Sequence, residues 1–144
     1  MPKIAALALD VGRKRIGVAG CDGLGLLATG LDTIHRTSSE ADLAAIRQWV
    51  EKRAATVLVV GLPFMMDGNI GKQAKITQKF AQRISRDLGL PLEYVDERLT
   101  SVEAETQLTA RKKYFRHNKG LVDKEAAQII LQQWLDQKRS ENKL

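Results

Sequence analysis

Residues 4–9 (Ile4-Ala5-Ala6-Leu7-Ala8-Leu9) are apolar without a break, the pattern of a strand covered on both faces. Gly12 permits a tight turn, and 15–20 then reads as a second strand, antiparallel to the first. Residues 24–34 supply a third, which Gly25 and Gly30 weaken. Ser39 with Asp42 three residues on resembles a helix entry, and Leu43, Ile46, Trp49 and Val50 follow at helical spacing. Residues 56–60 are a short β-branched run ending at Gly61-Leu62-Pro63, as a buried parallel strand would. A loop over 64–71 turns at Asp67-Gly68. Ile76, Phe80, Ile84 and Leu88 step by four along a helix that Gly89 stops. Residues 92–95 read as a strand, 101–110 as a helix and 121–138 as a last helix with Ala127, Ile130, Leu131 and Trp134 in an apolar stripe. Between those helices, 111–120 is basic and without periodicity.

Three consecutive strands followed by helix, strand, helix, strand and two helices predict an α/β fold: a mixed five-stranded sheet, antiparallel at its start and parallel after it, flanked by helices. The 144 residues suit one domain, 1–144, with 139–144 as a frayed tail. A domain of this size forms its core without staples. The single cysteine, Cys21, allows no internal disulfide. The first apolar run is too short for a bilayer and ends at Asp10, so no membrane partner is expected and the cytoplasm is the default location. A net charge of +6, from 23 basic against 17 acidic side chains, favours polyanions such as nucleic acid.

Carboxylates stand where stability alone does not require them. Asp10 ends the first strand, and ligand sites of open α/β sheets gather beyond strand ends; Asp-x-Gly also suits a plain turn. Asp96 and Glu97 end the 92–95 strand, and alternation lets only one of them face the side that Asp10 faces. Asp123 lies four residues before Ala127, eight before Leu131 and eleven before Trp134, on the inward face of the last helix. A carboxylate there is costly to desolvate without a partner or metal, although an Asp near a helix start also caps or favours the dipole. With only Cys21, His35 and His117 as soft ligands, a hydrolytic metal site in this chain has to be built from oxygen, the donor set of Mg²⁺ or Mn²⁺.

Taken in order, Asp10-Val11-Gly12, Arg15-Ile16-Gly17-Val18-Ala19, Gly61-Leu62-Pro63, Met66-Asp67-Gly68, Asp96-Glu97-Arg98-Leu99-Thr100 and Val122-Asp123-x-x-Ala126-Ala127 resemble the YqgF (also called RuvX) family, from about residue 4 to residue 136. Each motif alone is weak; the ordered set is specific. The resemblance implies a ribonuclease H-like fold related to Holliday-junction resolvases, and a nuclease maturing the 5′ end of precursor 16S ribosomal RNA. It assigns catalysis and metal binding to Asp10, Glu97 and Asp123, choosing Glu97 over Asp96. It also implies two-metal hydrolysis with two Mg²⁺ or Mn²⁺ ions, Asp10 bridging them. One departure is Met65, where the family's loop commonly carries Asn.

The cations then acquire roles. Arg13, Lys14 and Arg15 adjoin Asp10, and Arg98 adjoins Glu97, placed to hold phosphates. Arg111, Lys112, Lys113, Arg116 and Lys119 suit the backbone further out, with Tyr114, Phe115 and His117 available for stacking, or else form a solvated loop. Trp49, Phe80 and Trp134 read as core. The partners expected are precursor ribosomal RNA or branched DNA, bound by a monomer or homodimer. Two other classes stay open: a non-catalytic RNA-binding or transcription-associated module, and an ATPase of the actin-like topology, for which one domain leaves little room.

Overall fold

The computed structural model describes residues 5–62, 71–96 and 119–141, with side chains from 123 onward in the last segment. In chain order these are β1 (Ala6–Val11), β2 (Arg15–Cys21), β3 (Ala28–His35), α1 (Ser39–Arg53), β4 (Val57–Leu62), α2 (Lys72–Leu88), β5 (Leu92–Asp96) and α3 (Lys119–Ser140). The helix expected over 101–110 and the loop over 64–70 lie outside the described residues. The strands form one five-stranded sheet in the order β3-β2-β1-β4-β5. The pairs β1/β2 and β2/β3 are antiparallel, and β1/β4 and β4/β5 parallel. That is the mixed sheet the element order predicted, with α1 and α2 serving as crossovers.

Alternation along β1 divides the core by side-chain size. Ala6 and Ala8 face α3, together with Ala19, Cys21, Ala28, Val59 and Val95. Leu7 and Leu9 face α1 and α2, together with Ile16, Val18, Leu58 and Val60. Small residues on the first face let α3 lie close to the sheet, against which it buries Ala127, Leu131, Trp134 and Leu135. The large residues on the second face fill the wider gap to Ile46 of α1 and to Ala81 and Ile84 of α2.

Apart from shifts of a residue or two at element ends, the elements differ from expectation at three places. β3 begins at Ala28, because the Asp22 carboxylate accepts the N–H groups of Leu26 and Leu27 at 2.8 and 3.2 Å and Gly25 takes φ 71°. That turn leaves Leu24, Leu26 and Leu27 exposed. The cap of α1 is Ser38, whose hydroxyl accepts the Ala41 N–H at 3.1 Å; Asp42 turns inward and is 2% exposed. On α2 the buried residues are Ala74, Thr77, Ala81 and Ile84, while Ile76 is 49% exposed. A step of four residues drifts by about 40° around a helix at 3.6 residues per turn, so the stripe that is buried at Ile84 has rotated into solvent at Ile76.

Candidate functional site

The first site residue is placed by strand register. Asp10 follows Ala6 and Ala8 on the α3 face of β1 and stands directly opposite Gly17 of β2. Residues opposite one another in an antiparallel pair project to the same face. At Gly17 there is no side chain, and the space a Cβ would take is filled by the backbone carbonyl of Asp123. The missing side chain therefore admits the start of α3 to the patch of sheet that Asp10 faces. Next on this face of β2 is Arg15, whose Nε donates to Asp123 Oδ2 at 2.5 Å. The two side chains are 27% and 21% exposed, so the ion pair is only partly screened by water.

α3 starts at Lys119, so Asp123 is inside the helix and not its cap. Its carboxylate is turned toward the sheet as the spacing to Ala127 and Leu131 predicted, and its compensating partner is Arg15. Arg13 and Lys14 are exposed on the hairpin turn, where with Arg15 they border an open cavity of about 590 Å³. The structure thus brings together Asp10, Arg13, Lys14, Arg15 and Asp123. Glu97, Arg98, Arg111, Lys112, Lys113 and Arg116 lie outside the described residues, as do Met65, Tyr114, Phe115 and His117. Lys119 begins α3, and its side chain is outside the described set.

β5 bears on the choice between Asp96 and Glu97. Glu93 and Val95 are on the α3 face, where Glu93 accepts from Trp134 Nε1 at 3.2 Å and Val95 joins the small-residue core. Asp96, paired with Leu62, therefore projects to the opposite face from Asp10. Trp134 is buried, while Trp49 and Phe80 are half-buried against the other core, as expected of packing residues.

Sequence reasoning missed the support of the hairpin turn. Arg36, just after β3, donates from Nη1 to the Gly12 carbonyl at 2.7 Å, and its backbone N–H donates to Lys14 O at 2.9 Å. Its Nε donates to the buried carboxylate of Asp42 at 3.0 Å, and its guanidinium lies 4.7 Å from the centre of the Phe80 ring. One side chain thereby ties the turn after Asp10 to both α1 and α2. The available signal was an acid at the fourth position of α1 with an arginine before its cap, which reads equally well as surface charge.

Whether the site suits a metal is decided by its donors. Asp10 and Asp123 offer carboxylate oxygens only, a hard set that fits Mg²⁺ or Mn²⁺ and not zinc. Among the described residues no group of three His, Cys, Asp or Glu side chains is placed to hold an ion. The third expected ligand, Glu97, lies outside them. Arg15 at the Asp123 carboxylate is a positive group standing where a cation would be attracted.

A sheet of three consecutive antiparallel strands extended by two parallel ones, covered by helices on both faces, is the ribonuclease H-like fold. Thermus thermophilus RuvC, solved in complex with Holliday junction substrate, superposes with a TM-score of 0.62 at 11% identity over 97% of this chain and 98% of that one. The model of the RuvX family, described as Holliday junction resolvase, matches residues 4–137, and the chain belongs to that family. A relative from a Picosynechococcus species is 68% identical over 143 residues, 99% of each chain. Another from a Synechocystis species is 64% identical, over 96% of this chain and 91% of that one. Both carry the name "Putative pre-16S rRNA nuclease". Among the described residues no helix is long and apolar enough to cross a membrane.

Proposed function

We propose that this chain is a metal-dependent endonuclease that hydrolyses phosphodiester bonds in the 5′-end maturation of precursor 16S ribosomal RNA in the cytoplasm. The observation that carries the reading is the placement of Asp10 opposite Gly17, against which the backbone of Asp123 packs, beside Arg13, Lys14 and Arg15. Anionic oxygen ligands ringed by cations suit a substrate that is itself a polyanion. The names borne by relatives of 68% and 64% identity support the choice of RNA.

Asp10, Asp123 and Glu97 would hold Mg²⁺ or Mn²⁺, two ions in the family's scheme. Asp96 projects away from the α3 face, which removes it as the third ligand and leaves Glu97, the residue that the family's motif names. Bound there, the metal supplies Lewis-acid activation of water and neutralises charge on the leaving oxygen. Arg15 holds the Asp123 carboxylate in position and adds positive charge beside the cleaved phosphate. Arg13 and Lys14 bind phosphates on the solvent side of the turn, and Arg98, Arg111, Lys112, Lys113, Arg116 and Lys119 extend that grip along the strand. Gly12, fixed through its carbonyl by Arg36, keeps the turn after Asp10 in place.

A second substrate, the four-way DNA junction, is favoured by the family's own description. Incubating the protein with 5′-extended 16S precursor and with a four-way junction, in Mg²⁺, Mn²⁺ or chelator, separates them. Metal-dependent cutting of the RNA, lost in Asp10→Asn, supports the proposal. Cutting of the junction alone replaces RNA with DNA. Binding of RNA without cutting, unchanged in Asp10→Asn, supports the non-catalytic module instead.

A further inference from the structure

On the side of the sheet away from α3, a cleft of about 510 Å³ opens between the hairpin turn, the start of α1 and the first turns of α2. We propose that this cleft takes one unpaired nucleotide of the RNA strand beside the bond to be cut; the inference rests on the nuclease reading above and names the form of substrate it accepts.

The walls divide by chemistry. Val11, Ile76 and Phe80 supply apolar surface, and Thr37, Ser39 and Gln73, the last on the same face of α2 as Ile76, offer hydrogen-bonding groups. Arg13 and Arg36 bring two guanidiniums against the single carboxylate of Asp42, which already accepts from Arg36 Nε at 3.0 Å and from the Thr37 N–H at 3.3 Å. The net field inside is therefore positive, as a phosphate requires, while the apolar side suits the face of a base. A volume of this size is that of a small-molecule site and not of a duplex groove. A paired base has its edge engaged and its faces stacked, so a pocket of this kind reads only a base splayed from the strand.

Two further observations support a ligand here. Among the described residues, large exposed apolar side chains occur in the Leu24–Leu27 turn and at Ile76, and Ile76 borders the cleft. Arg13 also borders the open basic cavity shared with Lys14 and Arg15. A cationic path thus runs from Arg15, at the Asp123 carboxylate, round the hairpin turn and into the cleft. Across the end of β1 the two places stand back to back: Asp10 faces α3, and its neighbour Val11 lines the cleft. A strand with its phosphate at the carboxylates crosses the turn at Arg13 and lowers the adjacent nucleotide into the cleft against Ile76 and Gln73.

The test is fluorescence anisotropy in chelator, where no cleavage occurs, with a labelled RNA hairpin carrying a single-stranded 5′ extension and with the same hairpin blunt. Wild-type protein should prefer the extended RNA. The exposed-site variants Ile76→Ala and Gln73→Ala should each weaken that binding by roughly fivefold to tenfold, the range of a lost base contact, and leave the blunt hairpin within about twofold. Equal loss on both RNAs, no loss on either, or no wild-type preference overturns the proposal. Cleavage of the extended RNA by Asp10→Asn, measured separately with Mg²⁺, keeps the two readings apart. If that variant still cuts RNA while Ile76→Ala loses the extended strand, the nuclease site is wrongly assigned and the cleft stands; the converse result removes the cleft and keeps the site.

Discussion

Arg15 and Asp123, 108 residues apart in sequence, are joined by a 2.5 Å bond from Nε to Oδ2 where the start of α3 rests on β2. Both side chains are about three-quarters buried, so neither charge is well solvated without the other. The pair fastens the helix that carries one proposed ligand to the strand opposite the one that carries Asp10. It also neutralises a carboxylate on the same face of the sheet as Asp10.

Removing the guanidinium should therefore loosen the site before it alters chemistry. Arg15→Ala is expected to cost about 1.5–3 kcal/mol of stability, the range for a lost charge-assisted hydrogen bond. Added Mn²⁺ should restore part of that loss, because a cation takes over the neutralisation of Asp123. Urea unfolding with and without Mn²⁺ checks both; an equal loss in the two conditions would mean that metal does not reach this carboxylate.

Gly17 makes the same junction a steric one. A methyl group there would overlap the Asp123 carbonyl oxygen, so Gly17→Ala must push α3 off the sheet. Overpacking of this kind costs about 1–3 kcal/mol, and cleavage should fall much further than stability because the displaced element carries a proposed ligand. Gly30→Ala, where the nearest atoms of Lys124 are 3.2 Å away, is the milder control. Unfolding midpoints and cleavage rates of the two variants should rank in that order.

The edge of the sheet at β3 is closed by two glutamines of α3. Gln128 Oε1 accepts the Gly30 N–H at 3.2 Å, and Gln132 Oε1 accepts the Ala28 N–H at 2.9 Å while its Nε2 donates to Leu26 O. An edge strand with free N–H groups is a template for pairing with another chain. The double change Gln128→Leu with Gln132→Leu should cost about 1–2 kcal/mol and produce concentration-dependent self-association. Light scattering against protein concentration reads it; a monodisperse variant would show that the glutamines protect nothing.

Acid should loosen the turn before β3. The N–H groups of Leu27 and Leu26 hold the Asp22 carboxyl below its ordinary value of 3.8. A depressed value in the folded state means that the contribution is present above the ordinary range and lost as pH falls through the lowered one. Amide exchange at Leu26 and Leu27 should quicken relative to the core strands as pH drops below about 4. Asp22→Asn, which keeps an acceptor oxygen but does not titrate, should flatten that dependence.

Much of this architecture was legible in the pattern of apolar positions. The order of elements along the chain, the crossovers and the inward placement of Asp123 follow from periodicity, a local property. Even the size division of the core is written in Ala6-Leu7-Ala8-Leu9, although only the register of β1 against β2 shows what the alanines admit. What was not legible depends on pairings between distant segments. Asp42 looked like a capping residue because Arg36 and the turn it braces come together only in the folded chain. Ile76 looked like core because a four-residue step matches a helix locally but drifts around it over several turns. The extra residue of β3 where pairing shifts at Val18 and Ala19 gave no sign in sequence either.

The central claim, that Asp10 and Asp123 hold a catalytic metal together, is tested most directly by Mn²⁺ titration followed by electron paramagnetic resonance, on wild-type protein and on Asp10→Asn and Asp123→Asn. Each variant should bind Mn²⁺ at least roughly tenfold more weakly, a loss of about 1.4 kcal/mol, with its circular dichroism unchanged. Undiminished Mn²⁺ affinity in both folded variants would contradict the claim and return the carboxylates to a structural role.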